Sequence, residues 1–111
     1  MKTRLNQYRL MWILVFFDLP VYTKAERKAH TQFRKDLMKN GFLMFQFSIY
    51  LRHCSSMENA EVHIKRVKGF LPDKGKVGIM CITDRQFGMT QLYFGKKAEK
   101  PPEGNQQLTL F

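Results

Sequence analysis

Leu10-Met11-Trp12-Ile13-Leu14-Val15-Phe16-Phe17-Asp18-Leu19-Pro20 is the stretch on which the fold turns. An apolar run of β-favouring residues this short reads as a strand buried on both faces, and here it ends on a carboxylate. Pro20 removes a backbone donor and biases Leu19 away from helix, so the chain must turn directly after Asp18. One carboxylate is thereby presented at a strand tip.

Beyond the turn, Thr23-Lys24-Ala25-Glu26 has the spacing of a capping box, in which threonine and glutamate side chains reciprocally satisfy free amides of a first helical turn. Ala25, Ala29, Phe33 and Leu37 recur at four-residue steps, and Asn40-Gly41 supplies a left-handed stop. The opposite side of this helix carries Lys24, Arg27, Lys28, Arg34, Lys35 and Lys39. Phe42 to Arg52 is rich in aromatic and branched residues, interrupted by Gln46 and Ser48. It reads as two short strands reversing near Gln46-Phe47, or as one long bent strand, because no Gly or Pro marks the turn. Ser55-Ser56-Met57-Glu58 repeats the capping-box pattern, and Met57, Ala60, Ile64, Val67 and Leu71 follow at helical spacing. Pro72-Asp73-Lys74-Gly75 ends this second helix and turns the chain into a strand over residues 76–83.

The order strand, helix, strand, strand, helix, strand predicts an α+β, ferredoxin-like βαββαβ domain over residues 1–95, with Leu92-Tyr93-Phe94 as an additional short strand. Residues 96–111 read as an extended tail, charged and broken by Pro101, Pro102 and Gly104. Its end, with Leu108, Leu110 and Phe111, reads either as a docking strand that adds to a sheet edge or as a frayed terminus. Two helices cover only one face of such a sheet, yet the first strand is apolar on both. Burying the second face against a second copy predicts a sheet-to-sheet homodimer.

The 111 residues carry a formal net charge of +10, so nucleic acid is the default partner. Residues 1–40 hold nine Lys/Arg against three Asp/Glu, which makes the first helix the electrostatic footprint. Lys24, Arg27, Lys28, Arg34, Lys35 and Arg85 are the candidate phosphate contacts. Cys54 and Cys81 lack the close pairing of a zinc site and read as reduced core residues. No Gly-rich phosphate loop or Ser/His/Asp set is present, and His30, His53 and His63 read as surface or packing positions. The apolar run is too short to span a bilayer and lacks a cleavage site, so no membrane partner and a cytoplasmic location are expected. Asp18 alone is a thin active site, because magnesium recruits several oxygen ligands. Two copies facing across a dimer axis would share one Mg2+; the other reading of Asp18 is a cap that accepts turn amides.

Phe16-Phe17-Asp18-Leu19-Pro20, Asn40-Gly41-Phe42, Gln46-Phe47-Ser48-Ile49-Tyr50 and Thr83-Asp84-Arg85-Gln86-Phe87, in this order and spacing, resemble the second of the two universal CRISPR-associated adaptation proteins. The first-helix sequence and the terminal Gln-Leu-Thr-Leu-Phe resemble the form found beside single-effector, type II systems. The resemblance implies a ferredoxin-like homodimer that works with a partner CRISPR integrase to capture short double-stranded DNA and insert it into the CRISPR array. It also implies, for some members, a Mg-dependent endonuclease acting on single-stranded RNA or double-stranded DNA, with Asp18 as catalytic residue and metal ligand. In other members that aspartate is dispensable for spacer acquisition. Met44 departs from the family, which often has a basic residue at that position. Three functions follow as expectations: an adaptor that holds duplex DNA, a metal-dependent nuclease, and a single-strand RNA-binding module. The last rests on Gly41, Phe42 and Phe47, which echo an aromatic RNA-recognition strand.

Overall fold

A computed structural model describes residues 10–103 of the chain. Leu108, Leu110 and Phe111, the expected docking residues, lie outside the described residues. The elements run β1 (Met11–Asp18), α1 (Lys24–Lys39), β2 (Leu43–Gln46), β3 (Ile49–Cys54), α2 (Met57–Lys68), β4 (Lys76–Thr83), α3 (Asp84–Gly88), β5 (Leu92–Phe94) and β6 (Lys97–Glu99). Strands β2-β3-β1-β4 form one antiparallel sheet in that order, which is the ferredoxin-like arrangement expected from the sequence.

Alternation along β1 sorts its side chains between the two faces. Met11, Ile13, Val15 and Phe17 join Phe33 and Leu37 of α1, Tyr50 and Cys54 of β3, and Ala60 and Val67 of α2 in the main core. Each large side chain buried this way contributes on the order of 1.5–3 kcal/mol, so this layer dominates the stability of the domain. The capping box at Thr23 and Glu26 forms as expected: Thr23 Oγ1 accepts from the Glu26 amide, and Glu26 Oε1 accepts from the Thr23 amide. Gly41, with φ of 82°, makes the left-handed exit from α1. The stretch after it resolves as a hairpin rather than a bent strand, its register shifting between Met44 and Gln46.

The structure differs from the sequence reading in several places. The cap of α2 is Ser56, accepting from the Asn59 amide, so the Ser55-x-x-Glu58 box does not form. The inward face of α2 holds Ala60, His63 and Val67, whereas Met57 at its start is exposed and Leu71 lies exposed beyond its end. Leu92–Phe94 is a strand, but it pairs with Lys97–Glu99 in a separate hairpin, so the start of the supposed linker is ordered.

The main surprise lies on the second face of the sheet. Thr83 and Gln86 form a second capping box that starts α3, and Phe87 from this helix stacks on Trp12 at 4.4 Å between ring centroids. Asp84 Oδ1 accepts from Trp12 Nε1 at 2.7 Å, so the indole is both covered and satisfied. Trp12, Phe45, Leu51 and Phe87 thus make a second small core, with Leu92 packed against it. The chain covers this end of its second face itself. Beyond that cluster the face stays apolar and open: Phe16, toward the Asp18 end, is 42% exposed, Met80 in mid-strand 47% and Leu43 on the edge strand 44%.

Candidate functional site

Asp18 closes β1 on that open half. Its side chain is exposed and accepts no turn amide among the described residues, which removes the reading of a capping aspartate. Across the sheet it is flanked in register by Lys76 of β4. On the other side the Phe17 amide donates to Ser48 O at 3.1 Å, which carries the pairing up to the β2–β3 turn and sets Phe47 beside the strand end. Gly75 holds this end from behind. It has φ of 91°, and a Cβ there would lie 2.7 Å from Asp18 O and 2.7 Å from the Leu19 side chain. Lys76 and Gly75 were not singled out in the sequence; the signal was the Lys-Gly-Lys that leads directly into β4.

The magnesium expectation can be tested against these surroundings. No three His, Cys, Asp or Glu side chains among the described residues come close enough to hold an ion together. Asp18 is therefore a single oxygen ligand in one chain, and the residues of one copy do not fit a magnesium ion, which takes six ligands. A second copy is needed to bring a second carboxylate.

The six predicted phosphate contacts do not form one set. Lys24, Lys28 and Lys35 are exposed on one side of α1 and make no hydrogen bond or ion pair among the described residues. With Arg27, Thr31 and Gln32 they line one shallow depression along the helix. Arg27 is tied locally, its Nη1 donating to Val21 O at 3.2 Å and Tyr22 O at 3.1 Å. Arg34 is turned inward instead. Its Nε donates to Tyr50 Oη at 2.7 Å, and its guanidinium lies over the Phe47 ring. Arg85 sits on α3, which packs on the second face of the sheet while α1 packs on the first, so it does not join the α1 row.

The RNA-recognition echo does not survive the structure. Phe42 is fully buried in the main core and Gly41 is a turn residue, which leaves Phe47 as the one exposed aromatic of the three. His30 and His63, read as surface or packing positions, are both buried packing residues. Burial, with Arg34 nearby, lowers the His30 pKa; burial, with Arg52 and Arg66 nearby, lowers that of His63. A guanidinium only donates, so His63 Nε2 accepts from Arg52 Nη2 at 2.9 Å and carries its proton on Nδ1. Burial raises the thiols of Cys54 and Cys81, which agrees with inert core cysteines.

Taken together, fold and site define a small, basic, ferredoxin-like domain with one strand-end carboxylate and a half-open apolar sheet face. Residues 11–90 match the family model described as CRISPR associated protein Cas2, and the chain belongs to that family. It is 61% identical to a protein of Flavobacterium psychrophilum named CRISPR-associated endoribonuclease Cas2, over 98% of this chain and 95% of that one. A protein of Parvibaculum lavamentivorans with the same name is 50% identical over 91% of this chain and 100% of its own. Among solved structures, one described as a crystal structure of cas2 matches with a TM-score of 0.54 at 18% identity, covering 85% of this chain and 95% of that chain. That likeness supports the fold. No helix among the described residues is long and apolar enough to cross a membrane.

Proposed function

We propose that the chain is the DNA-holding subunit of CRISPR adaptation. In this reading it is a homodimer joined through the open half of the second sheet face, gripping duplex DNA by its phosphates while a partner integrase performs the transfer. The observation that carries the reading is the row of Lys24, Lys28 and Lys35, without partners among the described residues, on a helix packed against the other face of the sheet. Dimerisation through the open face would leave two such rows outward, as a clamp on a polyanion requires. The tail with Leu108, Leu110 and Phe111 is the segment we assign to the integrase. The test is spacer acquisition in a host with its integrase present. Replacing the three lysines with Gln should abolish acquisition, and removing residues 107–111 should abolish co-purification of the integrase. Normal acquisition by the triple variant would sink the reading.

A second reading, a metal-dependent endonuclease, is favoured by the exposed Asp18 with Lys76 beside it, and by the names of the relatives. Magnesium, when bound, would neutralise a phosphodiester and activate a water. Asp18 from each of two copies would hold it, and Lys76 would bind the neighbouring phosphate. Purified protein should then cleave single-stranded RNA or double-stranded DNA with magnesium and stop on chelation. Cleavage at the normal rate by Asp18→Asn would assign the activity to a contaminant.

A further inference from the structure

A half-open cavity of about 180 Å³ lies directly behind the strand end. Leu19 and Pro20, the two residues after Asp18, form one wall, Ala29 of α1 and Pro72 of the α2–β4 loop form others, and His30 closes it. The volume is below the roughly 300–1,000 Å³ of pockets that take drug-sized ligands, so it suits a single ring system.

Its chemistry narrows the occupant. His30 is about nine-tenths buried, and its ring nitrogens make no hydrogen bond among the described residues. The Phe17 ring meets it edge-on at 5.9 Å and the Phe47 ring stacks beside it at 5.8 Å, which fixes its orientation. In its neutral form the imidazole offers one donor and one acceptor, the edge that a heterocyclic base can read. The charged groups of the lining are Glu26, Asp73 and Lys74, with Glu26 Oε2 3.9 Å from Lys74 Nζ. Two carboxylates against one ammonium disfavour a phosphate. A flat, uncharged ring with donors and acceptors on its edge meets these conditions, and apolar walls flank its faces.

We propose that this cavity receives one unpaired base of the nucleic-acid strand whose backbone passes Asp18 and Lys76. The inference rests on the reading of the chain as a nucleic-acid-holding protein, and it adds where an extruded or overhanging base goes. Extruding a base costs least where it is already unpaired, so strand ends and single strands are the class of ligand selected.

The test uses the full chain, a short single-stranded oligonucleotide, and an oligonucleotide of equal length with every base removed. Ala29→Leu fills the cavity from an exposed helical position with a good helix former, and circular dichroism checks that it folds. The base-bearing strand should bind about ten-fold more tightly than the abasic one, as expected for one stacked base. Ala29→Leu should erase that difference and leave abasic binding unchanged. The His30 ring resonances should shift with the base-bearing strand and not with the abasic one. Salt-dependent binding that does not distinguish the two strands overturns the cavity assignment alone, and is also the result expected if a basic side chain of a partner protein fills the site. A shift with free cytidine but none with the strand overturns it in favour of a soluble nucleoside. Failure to bind either strand while duplex DNA is still bound overturns this inference and leaves the duplex-holding reading; failure to bind single strand and duplex alike removes both.

Discussion

Replacing Lys24, Lys28 and Lys35 with Gln is the perturbation that bears most directly on how this chain meets a polyanion. Four residues of helix rise about 6 Å and eleven rise about 17 Å, so on a bound duplex these ammonium groups would run along phosphates of one strand, spaced about 3.4 Å along the axis. The row therefore covers on the order of five phosphates and can neutralise three. Each neutralised phosphate contributes about 0.9 to the slope of log affinity against log salt, so the triple variant should lose about 2.7 from that slope per engaged row. Between 50 and 200 mM salt the native chain should thus weaken about 40-fold more than the variant, and about twice that exponent applies if both rows of a dimer bind one duplex.

The assay is fluorescence anisotropy on a random duplex across that salt range. Its control is a chain with three charges removed from the last turn of α2, Lys65, Arg66 and Lys68, which changes net charge equally. If the α1 variant keeps the native slope, the row does not touch phosphate. If the α2 control loses as much slope, binding comes from diffuse charge and the specific placement on α1 is refuted.

Gly75→Ala should destabilise the domain by about 1–3 kcal/mol, because the new side chain needs an unfavourable positive φ and collides with Asp18 O and Leu19; an unchanged melting temperature would mean that the turn is not what holds Asp18. Met80→Glu puts a charge on the open half of the second face, where the native residue is 47% exposed, so the single chain should fold as before while sedimentation reports monomer. A dimer of unchanged affinity would place the interface elsewhere. Stability should fall as pH drops from about 7 towards 5: His30 and His63 have folded pKa values below their unfolded ones, so the unfolded chain binds more protons and stability rises with pH in this window. His63→Gln, compared with the native chain over the same range, should flatten the curve; an unaltered slope would assign the effect to His30 or to carboxylates.

Where local rules and tertiary packing agreed, the sequence was readable. The β1 run, the Thr23-Glu26 box and the Asn40-Gly41 stop each appear where the residues place them, because their causes are local. The helix at Asp84–Gly88 was missed although Thr83-x-x-Gln86 is the same capping-box pattern found at Thr23; five residues show no apolar period to draw attention to it. Arg34 and Arg52 were unreadable for a different reason. Nothing in their neighbours along the chain says that Tyr50 and His63 take their guanidinium groups inward. Asp18 was visible as a strand-end carboxylate, but Lys76, Phe47 and the cavity behind it come together only through the register of β1 with its neighbours.

That register also links the two unusual properties of β1. A strand apolar on both faces asks for cover on both, and the chain supplies the second cover only over the cluster of Trp12, Phe45, Leu51 and Phe87, with Leu14 and Leu92 packed against it. Phe16, two residues from Asp18 on the same face, is left 42% exposed, its ring lying so close over Gly78 that a Cβ there would be 2.2 Å away. A glycine under an exposed phenylalanine keeps that patch flat, which suits another sheet better than a small ligand. Whatever covers the patch must therefore approach the half of the sheet that ends in Asp18. If the cover is a second copy, the demand for a second apolar face and the demand for a second carboxylate are met by the same contact, and α3 is the element that enforces this by closing the other half.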